Sequence, residues 1–369
     1  MSTQTATRAD RLAEAIAERG TDVLVVSNLV DVRYLTGYSG SNGLALVGPG
    51  AGGLRVFLTD FRYVTQAAAE VGPEWDRRPA SQELMGQGLV DNLPGAADGE
   101  RLRVAFDDVT VTVRQHARWM ELFADRVELV PAGGMVARLR EVKDADEVRQ
   151  IRAAAEVADA AMTEVLARGL AGRTERDVAL DLEIAMRRAG AEAVSFAPIV
   201  ASGAHGALPH AQPREVAIEA GQLVTIDWGA KLGGYCSDCT RTFSTGEIDD
   251  EARDLYELVR RAQWEALAAV RPGPTGQEVD RVARDIIGAA GHGEEFGHGL
   301  GHGVGLEIHE PPRLSKQSET ELVAGMVVTV EPGVYVPGRH GVRIEDLVVV
   351  TESAHDVLNT LPKDLQVVG

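Results

Sequence analysis

Two hexapeptides, Val224-Thr225-Ile226-Asp227-Trp228-Gly229 and Val328-Thr329-Val330-Glu331-Pro332-Gly333, begin 104 residues apart, and each ends a β-branched run with an acid. Such runs read as buried strands, so a charge has been placed twice where apolar side chains belong. Each acid is followed by a glycine-containing reversal and a second acid, giving Asp227 with Asp238 and Glu331 with Glu345. Folding each reversal about its midpoint sets the two acids of a pair opposite one another, with Cβ atoms about 4.5–5.5 Å apart. Like charges at that separation require a raised pKa, a cationic partner or a metal ion. Four of them in one chain favour the metal. A single strand-end Asp before glycine is ordinarily a turn former; it is the matched pairs that outweigh that reading for Asp227.

The segment 296–310 carries His298, His302 and His309 among alternating glycines, a composition that excludes a stable helix and describes a loop whose backbone passes close to something. Four carboxylates with one imidazole form a hard, oxygen-rich donor set. It suits two divalent ions such as manganese or cobalt, with zinc or iron as further candidates, and the two-metal route to hydrolysis.

The 369 residues, 44% of them hydrophobic, are enough for two cores, and a net charge of −19 argues against nucleic acid and anionic membrane surfaces as partners. Residues 1–20 lack an apolar export segment and read as an amphipathic helix, so a cytoplasmic location is expected. Helix-like runs alternate with short strands at 22–27, 43–47, 54–58 and 102–106, implying a mixed-sheet α/β domain over residues 1–133, with the boundary in Pro131-Ala132-Gly133-Gly134. Residues 134–369 form the second domain. There, helical patterns at 144–169 and 174–190 recur at 250–271 and 275–291, each pair preceding a carboxylate hairpin. Thr174 with Asp177 and Thr275 with Glu278 have capping-box spacing. Helix, helix, strand and carboxylate hairpin thus occur twice, about 100 residues apart, and packing the copies about a pseudo-twofold axis brings all four acids to the centre.

The phrases DWGAKLGGYCSDCTRTF, GHGLGHGVGLEIHEPP, VEPGVY and GVRIED resemble the pita-bread metallopeptidases, specifically the proline-specific branch of Xaa-Pro dipeptidases and aminopeptidases P. LVVSNLVDVRYLTGYSGSNG and TDFRYVTQAA resemble the creatinase-type amino-terminal domain. The resemblance implies an α+β fold, a mixed-sheet amino-terminal domain followed by a pseudo-twofold pita-bread catalytic domain. It implies two metal ions held by Asp227, Asp238, His302, Glu331 and Glu345, a homodimer, and hydrolysis of dipeptides or short peptides with proline in second position. It further implies that His210 and His309 hydrogen-bond the substrate around the scissile bond, that His298 is a weaker third substrate contact, and that Glu331 also shuttles a proton to the leaving amine. Arg343 precedes Glu345 by two residues on the same strand face, within reach of the metal carboxylates.

A different amide hydrolase of the same fold is one alternative, but creatinase lacks these ligands and methionine aminopeptidase usually lacks the amino-terminal domain. A non-catalytic peptide-binding module is another, against which all five ligand positions are intact. Cys236 and Cys239 form a CxxC with no second pair, and read as buried thiols rather than a redox or zinc site. The glycine loop matches no phosphate-binding pattern. Tyr38 and Trp75 are candidate rim contacts beside an ordinary packing role, and His292, His340 and His355 read as surface or loop residues.

Overall fold

The computed structural model describes residues 7–50, 52–95 and 100–369, which divide into two compact units, Met1–Arg140 and Glu141–Gly369. Of the expected amino-terminal helix, residues 1–6 lie outside the described residues. The remainder forms α1 (Arg8–Glu18), started by a capping box between Thr7 and Asp10 and burying Leu12 and Ile16 on its apolar face.

The first unit is built on a six-stranded mixed sheet ordered β4-β3-β2-β1-β5-β6. The four expected strands are β1 (Val23–Val26), β2 (Leu44–Val47), β3 (Arg55–Thr59) and β5 (Leu102–Phe106). Two edge strands went unread, β4 (Asp76–Pro79) and β6 (Val127–Pro131). The Asp-Arg-Arg-Pro sequence of β4 is mostly exposed and carries no apolar alternation to announce it. Helices α2 (Leu29–Thr36), α3 (Val64–Glu70), α4 (Val113–Phe123) and α5 (Met135–Glu141) complete the unit. The first unit runs on to Arg140, and α5 is tied to α2. Arg140 pairs with Asp31 at 2.8 Å, both buried, and the Tyr34 hydroxyl donates to Leu139 O. Tyr38 and Trp75, 1% and 2% exposed, pack inside this unit and are not rim residues.

The second unit shows the repeat. Helices α6 (Ala145–Leu166) and α7 (Glu175–Arg188) are followed 105 and 101 residues later by α8 (Asp250–Ala269) and α9 (Gly276–Ala289). Thr275 and Glu278 form the full capping box, whereas at Thr174 only the forward bond to Asp177 N is made. The first pair covers strands β7 (Ala193–Val194), β8 (Ile199–Ser202), β9 (Leu223–Trp228), β10 (Ala230–Leu232), β11 (Tyr235–Cys236) and β12 (Cys239–Ser244). The second pair covers β13 (Gly301–Gly303), β14 (Glu310–Leu314), β15 (Val327–Val330), β16 (Gly333–Val336), β17 (His340–Arg343), β18 (Asp346–Val350) and β19 (His355–Val357). Each half has its own apolar core.

Strand alternation explains the misplaced acids. On β9, Val224, Ile226 and Trp228 enter one core while Thr225 and Asp227 take the opposite face; on β15, Val328 and Val330 enter the other core and Thr329 and Glu331 face away. Trp228 locks the first strand, its Nε1 donating to Ala158 O of α6 at 2.9 Å. Losing a buried indole of this kind costs about 3–5 kcal/mol. No helix among the described residues is long and apolar enough to cross a membrane.

Candidate active site

All five acids and imidazoles expected as ligands line one cavity of about 540 Å³ in the second unit. Asp227 comes from the end of β9, Asp238 from the link between β11 and β12, His302 from β13, Glu331 from just beyond β15 and Glu345 from between β17 and β18. The two hairpins differ in register. The second continues with Gly333 opposite Arg343 and Val330 opposite Asp346, which aligns Glu331 with Glu345 as expected. In the first, the tight turn falls at Gly233-Gly234, both at positive φ, one residue later than the midpoint. Asp227 therefore opposes Thr240, and Asp238 reaches the cluster diagonally rather than from directly across.

Ligand atoms of Asp238, His302 and Glu345 lie within 4.8 Å of one another. His302 Nε2 is 3.3 Å from Glu331 Oε1 and 3.5 Å from Asp238 Oδ2. The other ring nitrogen, Nδ1, meets Gly303 O at 3.0 Å. That bond keeps a proton on Nδ1, so Nε2 is the nitrogen that can give up its proton and offer a lone pair to a metal. The glycines beside His302 serve the protein's own strands. A Cβ on Gly301 would stand 2.0 Å from Thr329 O, and one on Gly303 2.3 Å from Pro311 O, so β13 fits between β15 and β14 only as Gly-His-Gly.

The electrostatics identify what the cluster is suited to hold. Burial, and then the neighbouring carboxylates, push Asp238 and Glu345 well above the usual carboxylate range, and burial also raises Asp227. Burial pushes Glu331 up too, but its hydrogen bond and charge interaction with His302 prevail and hold it down at about 2. Asp227 Oδ1 and Glu345 Oε1 are buried with no hydrogen-bond donor. Four carboxylates face one buried guanidinium, that of Arg343, so the donor set fits divalent cations.

Arg343 donates to Asp227 Oδ2 at 2.7 Å, to the Tyr335 hydroxyl at 2.8 Å, to Thr240 Oγ1 at 3.0 Å and to Pro209 O at 3.1 Å. Thr240 in turn donates to Glu345 Oε2 at 2.7 Å and Thr329 to Glu331 Oε1 at 2.9 Å. Tyr335 and the two threonines escaped notice in the sequence, yet Thr240 comes two residues after Asp238, Thr329 two before Glu331 and Tyr335 four after Glu331, even offsets that carry side chains to the same face of extended chain.

The remaining histidines converge on the same cavity. His309 packs edge-on against His302 with ring centroids 4.4 Å apart. Burial, followed by the charges of His302 and Arg313, brings its pKa down to about 4, so it is a neutral donor at neutral pH. His298 Nε2 meets the Tyr335 hydroxyl at 3.0 Å, and burial lowers its pKa. His210 lines the cavity beside Pro209. Arg313, also in the lining, was not foreseen. Cys236 and Cys239 are buried free thiols with burial-raised pKa values. His340 approaches Asp249 at 3.7 Å, and His355 bonds Val270 O at 2.9 Å.

A buried carboxylate and imidazole cluster at the centre of a duplicated α+β unit, with three more histidines in its cavity, defines a metal-dependent hydrolase. Residues 149–352 match metallopeptidase family M24, and the chain belongs to that family; residues 8–142 match the creatinase/prolidase N-terminal domain. An uncharacterized peptidase of Bacillus subtilis is 39% identical over 359 residues, spanning 96% of this chain and 98% of that protein. The solved structure of a Xaa-Pro dipeptidase from Bacillus anthracis matches with a TM-score of 0.90 at 38% identity, covering 98% of this chain and 99% of that one. An X-Pro aminopeptidase from Thermotoga maritima matches at 0.87 and 36% identity, with coverage of 98% and 100%.

Proposed function

We propose that this chain hydrolyses the bond between an N-terminal residue and a following proline in dipeptides or short peptides, using two divalent ions. The observation that carries this reading is the convergence of Asp227, Asp238, His302, Glu331 and Glu345 with His210, His298 and His309 in one cavity. Those five residues would hold two divalent ions, which when bound would supply Lewis acidity and lower the pKa of water toward neutrality. Oxygen-rich donors of this kind suit manganese or cobalt, with zinc or iron as further candidates.

The chain's own groups do the rest. Thr329 donates to Oε1 of Glu331, which leaves Oε2 to take up a proton and return it to the leaving proline nitrogen. Neutral His309 donates a hydrogen bond, and His210 a second, where negative charge develops on the carbonyl oxygen. Phe196, Pro198, Ile199 and Ile308 give the cavity an apolar lining suited to a pyrrolidine ring. His309→Ala is expected to keep the fold and metal content while lowering kcat by about 10²–10³, as for the loss of one transition-state donor. An unchanged kcat removes His309 from the mechanism.

Proline selectivity is the deciding test. A tertiary Xaa-Pro amide has no N–H to offer and a fixed φ, so a cleft shaped for extended chains fits it poorly. Ala-Pro or Ala-Pro-Ala is expected to be cleaved with kcat/KM at least about 10²-fold above Ala-Ala or Ala-Ala-Ala. Equal rates would leave a general aminopeptidase, and no cleavage by metal-loaded protein would favour another amide substrate or a binding role. Arg313 places a cation in the cavity, near enough to His309 to lower its pKa, where a dipeptide's carboxylate can meet it. Arg313→Ala is therefore expected to raise KM for Ala-Pro about tenfold, the loss of one charge-assisted hydrogen bond, with a smaller change for Ala-Pro-Ala. Equal changes for the two peptides would remove that role. The same reading takes the active species as a homodimer, which sedimentation equilibrium tests.

A further inference from the structure

His210 makes no hydrogen bond or ion pair with another described residue, although the mechanism requires its ring to be held at the substrate. Its position must therefore be set through the backbone of its own segment. Glu175, the first residue of α7, is 0% exposed and takes no part in the chemistry. Its carboxylate instead gathers donors from both ends of that segment. Upstream of His210, Ser202 N and Oγ each donate to Oε1 at 2.9 Å, and His205 Nδ1 meets Oε2 at 3.0 Å. Downstream, Arg214 N and Nε donate to Oε2 and Arg214 Nη2 donates to Oε1, all at 3.0 Å.

Two contacts hold the middle of the segment against the second half of the repeat. Arg343 donates to Pro209 O, immediately before His210. A Cβ on Gly341 of β17 would stand 1.7 Å from Gly206 O, so the segment rests directly on that strand. The other half of the repeat is arranged in the same way. Asp280 of α9 accepts from Leu300 N at 3.0 Å and from Arg284 at 2.8 Å, and Arg284 donates onward to Phe296 O and His298 O. In each half, a buried acid on the second helix fixes the loop that brings histidines into the cavity.

We propose that Glu175 is a positioning residue for His210, acting by clamping Ser202, His205 and Arg214 so that the imidazole reaches the scissile bond. The proposal deepens the peptidase reading and rests on His210 contacting the substrate. A double-mutant cycle tests it on the metal-loaded enzyme, with whichever peptide the wild type cleaves, so that a wrong substrate assignment is seen in the wild type alone. Glu175→Gln is expected to lower kcat about 10- to 10²-fold, the scale of a misplaced catalytic group, with metal content retained and KM changed less than about threefold. In the His210→Ala background the same substitution is expected to have almost no further effect. A general structural role would instead lower activity by the same factor in both backgrounds, and that additivity overturns the proposal, as does wild-type kcat in Glu175→Gln or loss of its metal. Should Glu175→Gln fail to fold, Arg214→Ala, which removes donors from a half-exposed side chain, replaces it in the cycle with the same expectation of non-additivity.

Discussion

Dialysis against a strong chelator is expected to reduce hydrolysis of Ala-Pro by at least about 10³-fold and to lower the melting temperature, with manganese or cobalt restoring both. The stability loss has a definite origin. Asp238 and Glu345 are buried beside each other and beside Asp227 and Glu331, and burial together with mutual repulsion raises both pKa values well above normal. Divalent ions bound at 1,000 times their dissociation constant stabilise the folded state by about 4 kcal/mol per site. For a unit of this size that corresponds to roughly 8–16 °C for each ion. Full activity in protein shown to be metal-free would sink the two-ion reading, and an unchanged melting temperature would show that the four acids are accommodated some other way.

Arg343→Met is the substitution expected to do most damage from outside the ligand set. The guanidinium serves Asp227, Tyr335, Thr240 and the Pro209 carbonyl at once. A thioether of similar length fills the space and satisfies none of them. Removing one partner of a buried ion pair costs about 3–5 kcal/mol because the other charge is left uncompensated, so the melting temperature should fall by about 6–20 °C. The loss of kcat/KM should exceed about 10², since Asp227 and the His210 segment lose the same anchor. Arg343→Lys should rescue little, because one ammonium cannot span four acceptors in different directions. A Met variant with wild-type melting temperature and metal content would show that Arg343 is dispensable to the centre.

Much of this site was legible because its ligands obey strand periodicity. An acid closing a β-branched run is conspicuous, and its recurrence 104 residues on exposes the duplication. The second hairpin could be registered from its midpoint; the first could not, because Gly233 and Gly234 both accept positive φ and moved the turn by one residue. Edge strand β4 was missed since Asp76, Arg77 and Arg78 give no apolar signal. Glu175 and Asp280 were hidden for a different reason. On a helix each looks like an ordinary polar residue, and only the tertiary structure reveals the loop donors that they collect. Tyr38 and Trp75 show the converse, aromatics that suggest a binding rim from the sequence and prove to be core.

The division of the donor set between the two repeats bears on how the centre forms during synthesis. Asp227 and Asp238 belong to the first half, while His302, Glu331 and Glu345 belong to the second, and Glu345 leaves the ribosome 118 residues after Asp227. Through that interval the nascent first half carries two carboxylates destined for burial with neither their guanidinium nor their ions in place. Its strands can pair and its helices can pack, but the face bearing Asp227 gains its partners only when Arg343 arrives. Holding metal is thus confined to chains in which translation has passed the second hairpin, and a product cut short between the repeats is left with half a coordination sphere.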